Sequence, residues 1–246
     1  MTRITNDPFG FQRDPFSPGN MANLDASVES KFFTMVYMWM SAGLAVTAGV
    51  ALAIANTPSL RAWAMSGPVL IVSFLVEFGL VIAISGAINR ISAAVATAMF
   101  ILYSAINGFV LSVVFLMYTS ASLGGTFIVT AGAFGAMSLY GYVTKRDLTR
   151  LGSLLFMALI GLVLASLVNL FWHNSMLYWI VTYTGVLIFV GLTAFDTQRL
   201  RAVATQTQND PRLASRMAVV GSLVLYLDFI NLFLLLLRLM GNRRDD

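Results

Sequence analysis

The chain has 246 residues, 58% of them hydrophobic and only 11% charged, with a mean hydropathy of +0.81, whereas about 25% of residues are charged in an ordinary soluble domain. Composition therefore indicates an integral membrane protein. It has no cysteine and one histidine, which excludes a disulfide framework, a thiolate metal site and a multi-histidine cluster, and its net charge of +4 lies in loops between apolar runs rather than on a nucleic-acid-binding face.

Residues 1–31 contain Pro8, Pro15 and Pro18 among Asn, Asp and Ser, with no apolar run. Such a segment cannot bury enough surface to fold alone, so it is expected to be a flexible tail. It also lacks the basic start, apolar core and small-residue cleavage site of a signal peptide, so the first span is expected to stay uncleaved. With roughly 20 apolar residues per crossing, spans are predicted at 32–55, 68–88, 92–118, 124–143, 152–172, 177–197 and 216–240. This gives an all-α polytopic protein with a transmembrane domain over 32–241 and a charged C-terminal tail at 242–246. The fourth span carries Gly124, Gly125, Gly132, Gly135 and Gly141 among small residues, and small residues let helix backbones approach closely, so it is expected to pack on other helices rather than on lipid.

Lys and Arg set the orientation. Arg3, Arg13 and Lys31 precede the first span, and Arg90, then Lys145, Arg146 and Arg150, then Arg199, Arg201, Arg212 and Arg216 fall in loops on the same side, against Arg61 alone in the loops of the other. The positive-inside bias places the N-terminus in the cytoplasm. Arg238, Arg243 and Arg244 favour a re-entrant last segment and its length favours a full crossing; length is given the greater weight.

The last span, SLVLYLDFINLFLLLLRLMG at 222–241, has an aspartate at its middle. At about 100° per residue, Asp228, Asn231, Leu235 and Arg238 form one narrow stripe on an otherwise apolar rod. A carboxylate in hydrocarbon costs about 3 kcal/mol on insertion scales and normally faces a bundle interior or a wet cavity, so this helix is expected to be central. Asp196, in GLTAFDTQ, shares a face of the sixth span with Thr182, Gly185 and Phe189, and Glu77, in FLVEFGL, sits midway along the second with Ser73 on the same side. Arg90 follows Glu77 by about 20 Å of helix axis and cannot pair with it within one helix. Each acid has a structural alternative, Asp196 as a helix-end residue and Glu77 as a neutral acid bonded to a neighbouring helix. Asn107, Asn169 and Asn231 are expected to donate hydrogen bonds between helices. His173, in FWHNS, reads as an interface residue, and Trp39, Trp172, Trp179 and Tyr178 as interfacial anchors.

Three stretches, LYLDFINLFLLLLRLMG at 225–241, AFDTQRL at 194–200 and YGYVTKRDLTRLG at 140–152, resemble the Bax inhibitor-1 (transmembrane Bax inhibitor motif) family, bacterial branch. The resemblance implies a seven-helix fold whose last helix is surrounded by the other six, in two layers of three. It also implies a calcium leak controlled by pH, with Asp196 and Asp228 as the carboxylate pair that gates it, Arg90 as the latch that closes it, and Glu77 on the ion path. Where relatives carry a short basic run, this chain has one arginine in AINRIS. Two carboxyls in a low-dielectric site do not both ionise cheaply, so one proton is shared and protons switch the site. Asp196, Asp228, Asn231 and backbone carbonyls supply fewer oxygens than the six to eight calcium prefers, so calcium would be held weakly and transiently, as a leak requires. No cofactor is expected beyond calcium and protons as permeant or regulatory ions, and no enzymatic activity. Two other readings stand beside this one. Relatives suggest a regulatory protein acting on a membrane-bound ATP-dependent protease or a stress pathway. Two membrane aspartates also suggest an intramembrane aspartyl protease, but neither GLTAFD nor LYLD carries its Gly-x-Gly-Asp sequence, and no Pro-Ala-Leu motif follows.

Overall fold

Without water to satisfy its amides and carbonyls, backbone in hydrocarbon closes its hydrogen bonds within helices, and apolar runs this long have no other way to cross. A computed structural model describes residues 18–64, 66–87 and 91–244 and forms eight helices: α1 Pro18–Asn56, α2 Pro58–Ala64, α3 Gly67–Ala87, α4 Ala93–Met117, α5 Ser120–Val143, α6 Thr149–Trp172, α7 Ser175–Gln206 and α8 Pro211–Met240. All but α2 contain an apolar stretch long enough to span. The protein is thus an all-α, multi-pass membrane protein with seven long apolar helices among the described residues.

Polar side chains at the chain reversals punctuate these rods. Ser92, Thr119 and Asn174 accept hydrogen bonds from backbone N–H groups in the first turns of α4, α5 and α7, and Asp210 accepts from the amides of Arg212 and Leu213 at 3.0 Å, with Pro211 opening α8. Before α6, Asp147 accepts from the Thr149 amide at 2.9 Å, and hydrogen bonds from Thr149 hold its carboxyl below the usual carboxylate range.

Two ends differ from expectation. α1 begins at Pro18, so residues 18–31, expected as flexible tail, are helical; Glu29 ties this extension to α7 through an ion pair with Arg201 at 2.8 Å. Residues 242–244, expected as a charged tail, are held against the α4–α5 turn: the Thr119 amide donates to the Asn242 carbonyl at 3.2 Å and the Arg244 amide to that of Met117 at 3.0 Å. α2 was not expected at all, because seven residues are too few to show apolar periodicity.

α8 packs on α1, α4, α5 and α7, while α3 packs mainly on α4 and α6 on α7. It is also the most enclosed span, 67% buried over its apolar window against 0% for α6. Near its start Arg216 donates to the Ile91 carbonyl ahead of α4, and beyond its end Arg243 pairs with Tyr118 just after α4. α8 therefore runs beside α4 from end to end and traverses the bundle without re-entering. A helix of 30 residues is about 45 Å long, more than the hydrocarbon thickness.

The fourth predicted span, now α5, does not pack through most of its glycines. Its buried face is Thr126, Thr130, Phe134, Ser138 and Gly141, whereas Gly124, Gly125, Gly132 and Gly135 have open space beside them. Only Gly141 serves close approach: a Cβ there would lie 2.1 Å from the Ala194 carbonyl oxygen of α7.

Candidate functional site

α7 and α8 bring two of the expected acids together. Asp196 and Asp228 are 9% and 5% exposed, and their carboxyls lie within hydrogen-bonding reach of each other across the helix seam. Both line a cavity of about 750 Å³ between α6, α7 and α8 that Asn231 shares. Asp228 Oδ2 is buried and has no protein hydrogen-bond partner. Asn231 donates its own amide to the Leu227 carbonyl one turn back at 2.8 Å, so this hydrogen bond stays within α8 rather than joining helices as expected. Arg199, one turn beyond Asp196, also lines the cavity, as does Thr149 at the entrance to α6. Residues three apart on a helix are neighbours, so a guanidinium stands beside the acids.

Beyond Asn231 the stripe closes. Leu235, 7% exposed, fills the notch at Gly185 of α7, where a Cβ would meet its methyls at 2.9 and 3.1 Å. One turn further, Arg238 reaches a second cavity of about 480 Å³ at the far end of the same seam. The stripe read from the sequence thus passes from an acidic chamber, by way of the apolar Leu235–Gly185 contact, to a basic chamber.

Glu77 is not part of this arrangement. It is 7% exposed on α3 and hydrogen-bonded to Asn107 of α4, with Oε1 unpartnered. Asn107 accepts a hydrogen bond from the Tyr226 hydroxyl at 3.1 Å, which turns its NH₂ toward Glu77 and Tyr103. Tyr226 also bonds Thr47 of α1 at 2.6 Å, and Thr47 donates to the Ser104 carbonyl at 2.8 Å. Tyr226 and Asp228 are about 200° apart around α8, so Glu77 belongs to a network on the reverse side of that helix. Here Asn107 does bond between helices, as expected, while Asn169 instead accepts from the Asn174 amide in the α6–α7 turn. Arg90 lies outside the described residues.

A third polar run joins α1, α5 and α7. Thr197 donates to its own Thr193 carbonyl, so Ser138 donates to Thr197 at 2.9 Å and Tyr37 donates to Ser138. Sequence reasoning singled out none of Thr47, Tyr103, Tyr226, Tyr37 or Thr197, and it counted Arg199 only as a topogenic charge. Hydroxyl residues on apolar helices leave no periodic signal of their own; only the near-opposite phase of Tyr226 and Asp228 hinted that α8 has two polar sides. Among the described residues no three acidic, histidine or cysteine side chains cluster as a metal site, so a cation at the acidic chamber would meet two carboxyls and neutral oxygens.

The family model described as "Inhibitor of apoptosis-promoting Bax1" matches residues 29–245. The inner membrane protein YbhL of Escherichia coli K12 is 50% identical over 215 residues, covering 87% of this chain and 92% of YbhL. A protein of Borreliella burgdorferi is 48% identical over 89% of this chain and 95% of its own length, and one of Deinococcus radiodurans 43% identical over 87% and 91%. The family is not a catalytic one. With seven apolar helices, an acidic seam between the last two and a family match that runs from the first span to the C-terminal residues, the chain belongs to the Bax inhibitor-1 family.

Proposed function

We propose that the protein is a pH-sensitive leak for cations, calcium foremost, in the bacterial plasma membrane, with Asp196 and Asp228 acting as one gating unit. The observation that carries this reading is the acidic chamber itself: two buried carboxyls from adjacent helices, within reach of one another, lining one cavity of about 750 Å³. Close carboxyls titrate as a pair, so proton concentration sets the charge of the chamber. When both are ionised they attract a divalent cation; when one is protonated that attraction falls. Two carboxylates, the amide oxygen of Asn231 and carbonyls provide an incomplete shell for calcium, so a calcium ion enters and leaves quickly, as conduction requires.

In this reading α8 is the axis around which the other six spans are ranged, and the end bearing Lys145, Arg146, Arg150 and Arg199 faces the cytoplasm together with the N-terminus, in keeping with the positive-inside bias. The family resemblance assigns the latch to Arg90; Arg199 is the guanidinium that lines the chamber. Asn231 belongs on the cation route, and Glu77 is read as a structural acid that braces α3 against α4.

The test is calcium-dye flux in liposomes holding the purified protein, measured across a pH series. Wild-type protein should pass calcium with a sigmoidal pH dependence, and Asp228→Asn should abolish that dependence while leaving the protein folded by size exclusion. An unchanged profile in the variant would reject the gating unit. No flux from wild-type protein at any pH would reject the leak and favour action on a membrane-bound protease.

A further inference from the structure

The second chamber has a chemistry of its own. It lies where α6 ends, α7 begins and α8 completes its last turns, and Arg238, His173, Asn169, Asn174 and Tyr178 line it. No aspartate or glutamate does. Arg238 packs over the Tyr178 ring, 5.8 Å from guanidinium to centroid, and no carboxylate of the described residues forms an ion pair with it. The two asparagines spend their oxygens on backbone: Asn169 Oδ1 accepts from the Asn174 amide at 2.9 Å, and Asn174 Oδ1 accepts from the Leu177 amide at 3.0 Å. Their NH₂ groups are what remain for the chamber. His173 adopts φ 49°, left-handed backbone that a non-glycine residue pays for, and this sharp turn sets the imidazole and Asn174 at the rim. A guanidinium, two side-chain NH₂ groups and a tyrosine hydroxyl around about 480 Å³, with His173 at the rim donating its Nδ1–H to the Phe171 carbonyl at 3.2 Å, make a donor-rich, cationic pocket within the usual range of ligand sites, about 300–1,000 Å³.

From this geometry we infer that the chamber binds a phosphate group, carried by a membrane phospholipid. Guanidinium with amide donors is the combination that recognises phosphate oxygens. The surroundings point to a lipid rather than a free ion. Leu170 lines the chamber and is also 64% exposed, and Phe171 and Trp172 beside it are 82% and 79% exposed, an aromatic rim of the kind found at headgroup depth. A headgroup in the chamber leaves its acyl chains along the exposed leucines of α6. Basic pockets between spans are headgroup sites on the cytoplasmic face of membranes, and the same guanidinium–phosphate chemistry serves at the other face. The inference stands apart from the leak reading, since it uses none of the acidic residues.

The full chain, purified in detergent and stripped of lipid, is to be titrated separately with phosphatidylglycerol, with diacylglycerol of the same chains and with inorganic phosphate, reading bound species by native mass spectrometry and the melting temperature. Phosphatidylglycerol should bind and raise the melting temperature, diacylglycerol should do neither, and Arg238→Gln should weaken phosphatidylglycerol binding about tenfold or more. Arg238→Lys, which keeps the charge without the planar fork, should fall between and serves if the glutamine variant does not fold. Equal binding of phosphatidylglycerol by wild-type and Arg238→Gln protein, or equal effects of the two lipids, overturns the site. Inorganic phosphate that binds with no effect of phosphatidylglycerol overturns the lipid assignment.

Discussion

At the scale of single residues, the protein satisfies its buried polar atoms sparingly. Thr47 uses its proton on the Ser104 carbonyl, so Tyr226 has one proton to share between Thr47 Oγ1 and Asn107 Oδ1. Tyr226→Phe removes that donor and leaves both acceptors buried beside α8. It is expected to lower unfolding free energy by about 1–3 kcal/mol, measured by reversible denaturation in mixed micelles, with calcium flux in liposomes nearly unaffected because the acidic chamber lies on the other side of α8. The placement of Asp228 and Asp196 was legible because a charge in an apolar helix is costly and must turn inward. Tyr226 was not legible, since a tyrosine reads equally well as an interfacial anchor, and Arg199 was hidden by its usefulness as a topological charge.

At the scale of the helices, hydropathy located all seven spans, but the ends departed by up to 14 residues where helices continue past their apolar stretch, α1 starting at 18 rather than 32, where Glu29 pairs with α7, and α7 running on to 206 before the short turn into α8. What hydropathy did not show was which side of a glycine-rich helix packs. The glycines of α5 seemed one interface, yet Gly141 alone touches a neighbour's backbone, and Gly132 faces open space. Two substitutions separate these roles. Gly141→Ala must push α5 from α7 and is expected to cost about 1–3 kcal/mol, whereas Gly132→Ala gains helix propensity and should be neutral or stabilising by up to about 1 kcal/mol. Melting temperatures of the two variants, compared in the same detergent, check the contrast.

For the molecule as a whole, α8 runs alongside α4 from one end of the bundle to the other, so the α7–α8 turn and residue 242 lie at opposite ends of the bundle and are expected on opposite sides of the membrane. Because the natural chain has no cysteine, single cysteines at Gln208 and Asn242 can be labelled selectively; an impermeant maleimide added outside intact cells should reach the second and not the first. Labelling of both, or of neither until lysis, would mean that the last segment turns back. The same vectorial layout bears on the contact between Leu235 and Gly185. Thr149 and Arg199 line the acidic chamber away from that contact; if the proposed gating unit operates, its aspartates would take up hydrogen ions from that end, with the Leu235 contact standing between them and the basic chamber. With the proposed cytoplasmic N-terminus, the proposed gate would then sense acidification of its own cell's interior rather than that of the medium, until a side chain of four carbons swings aside.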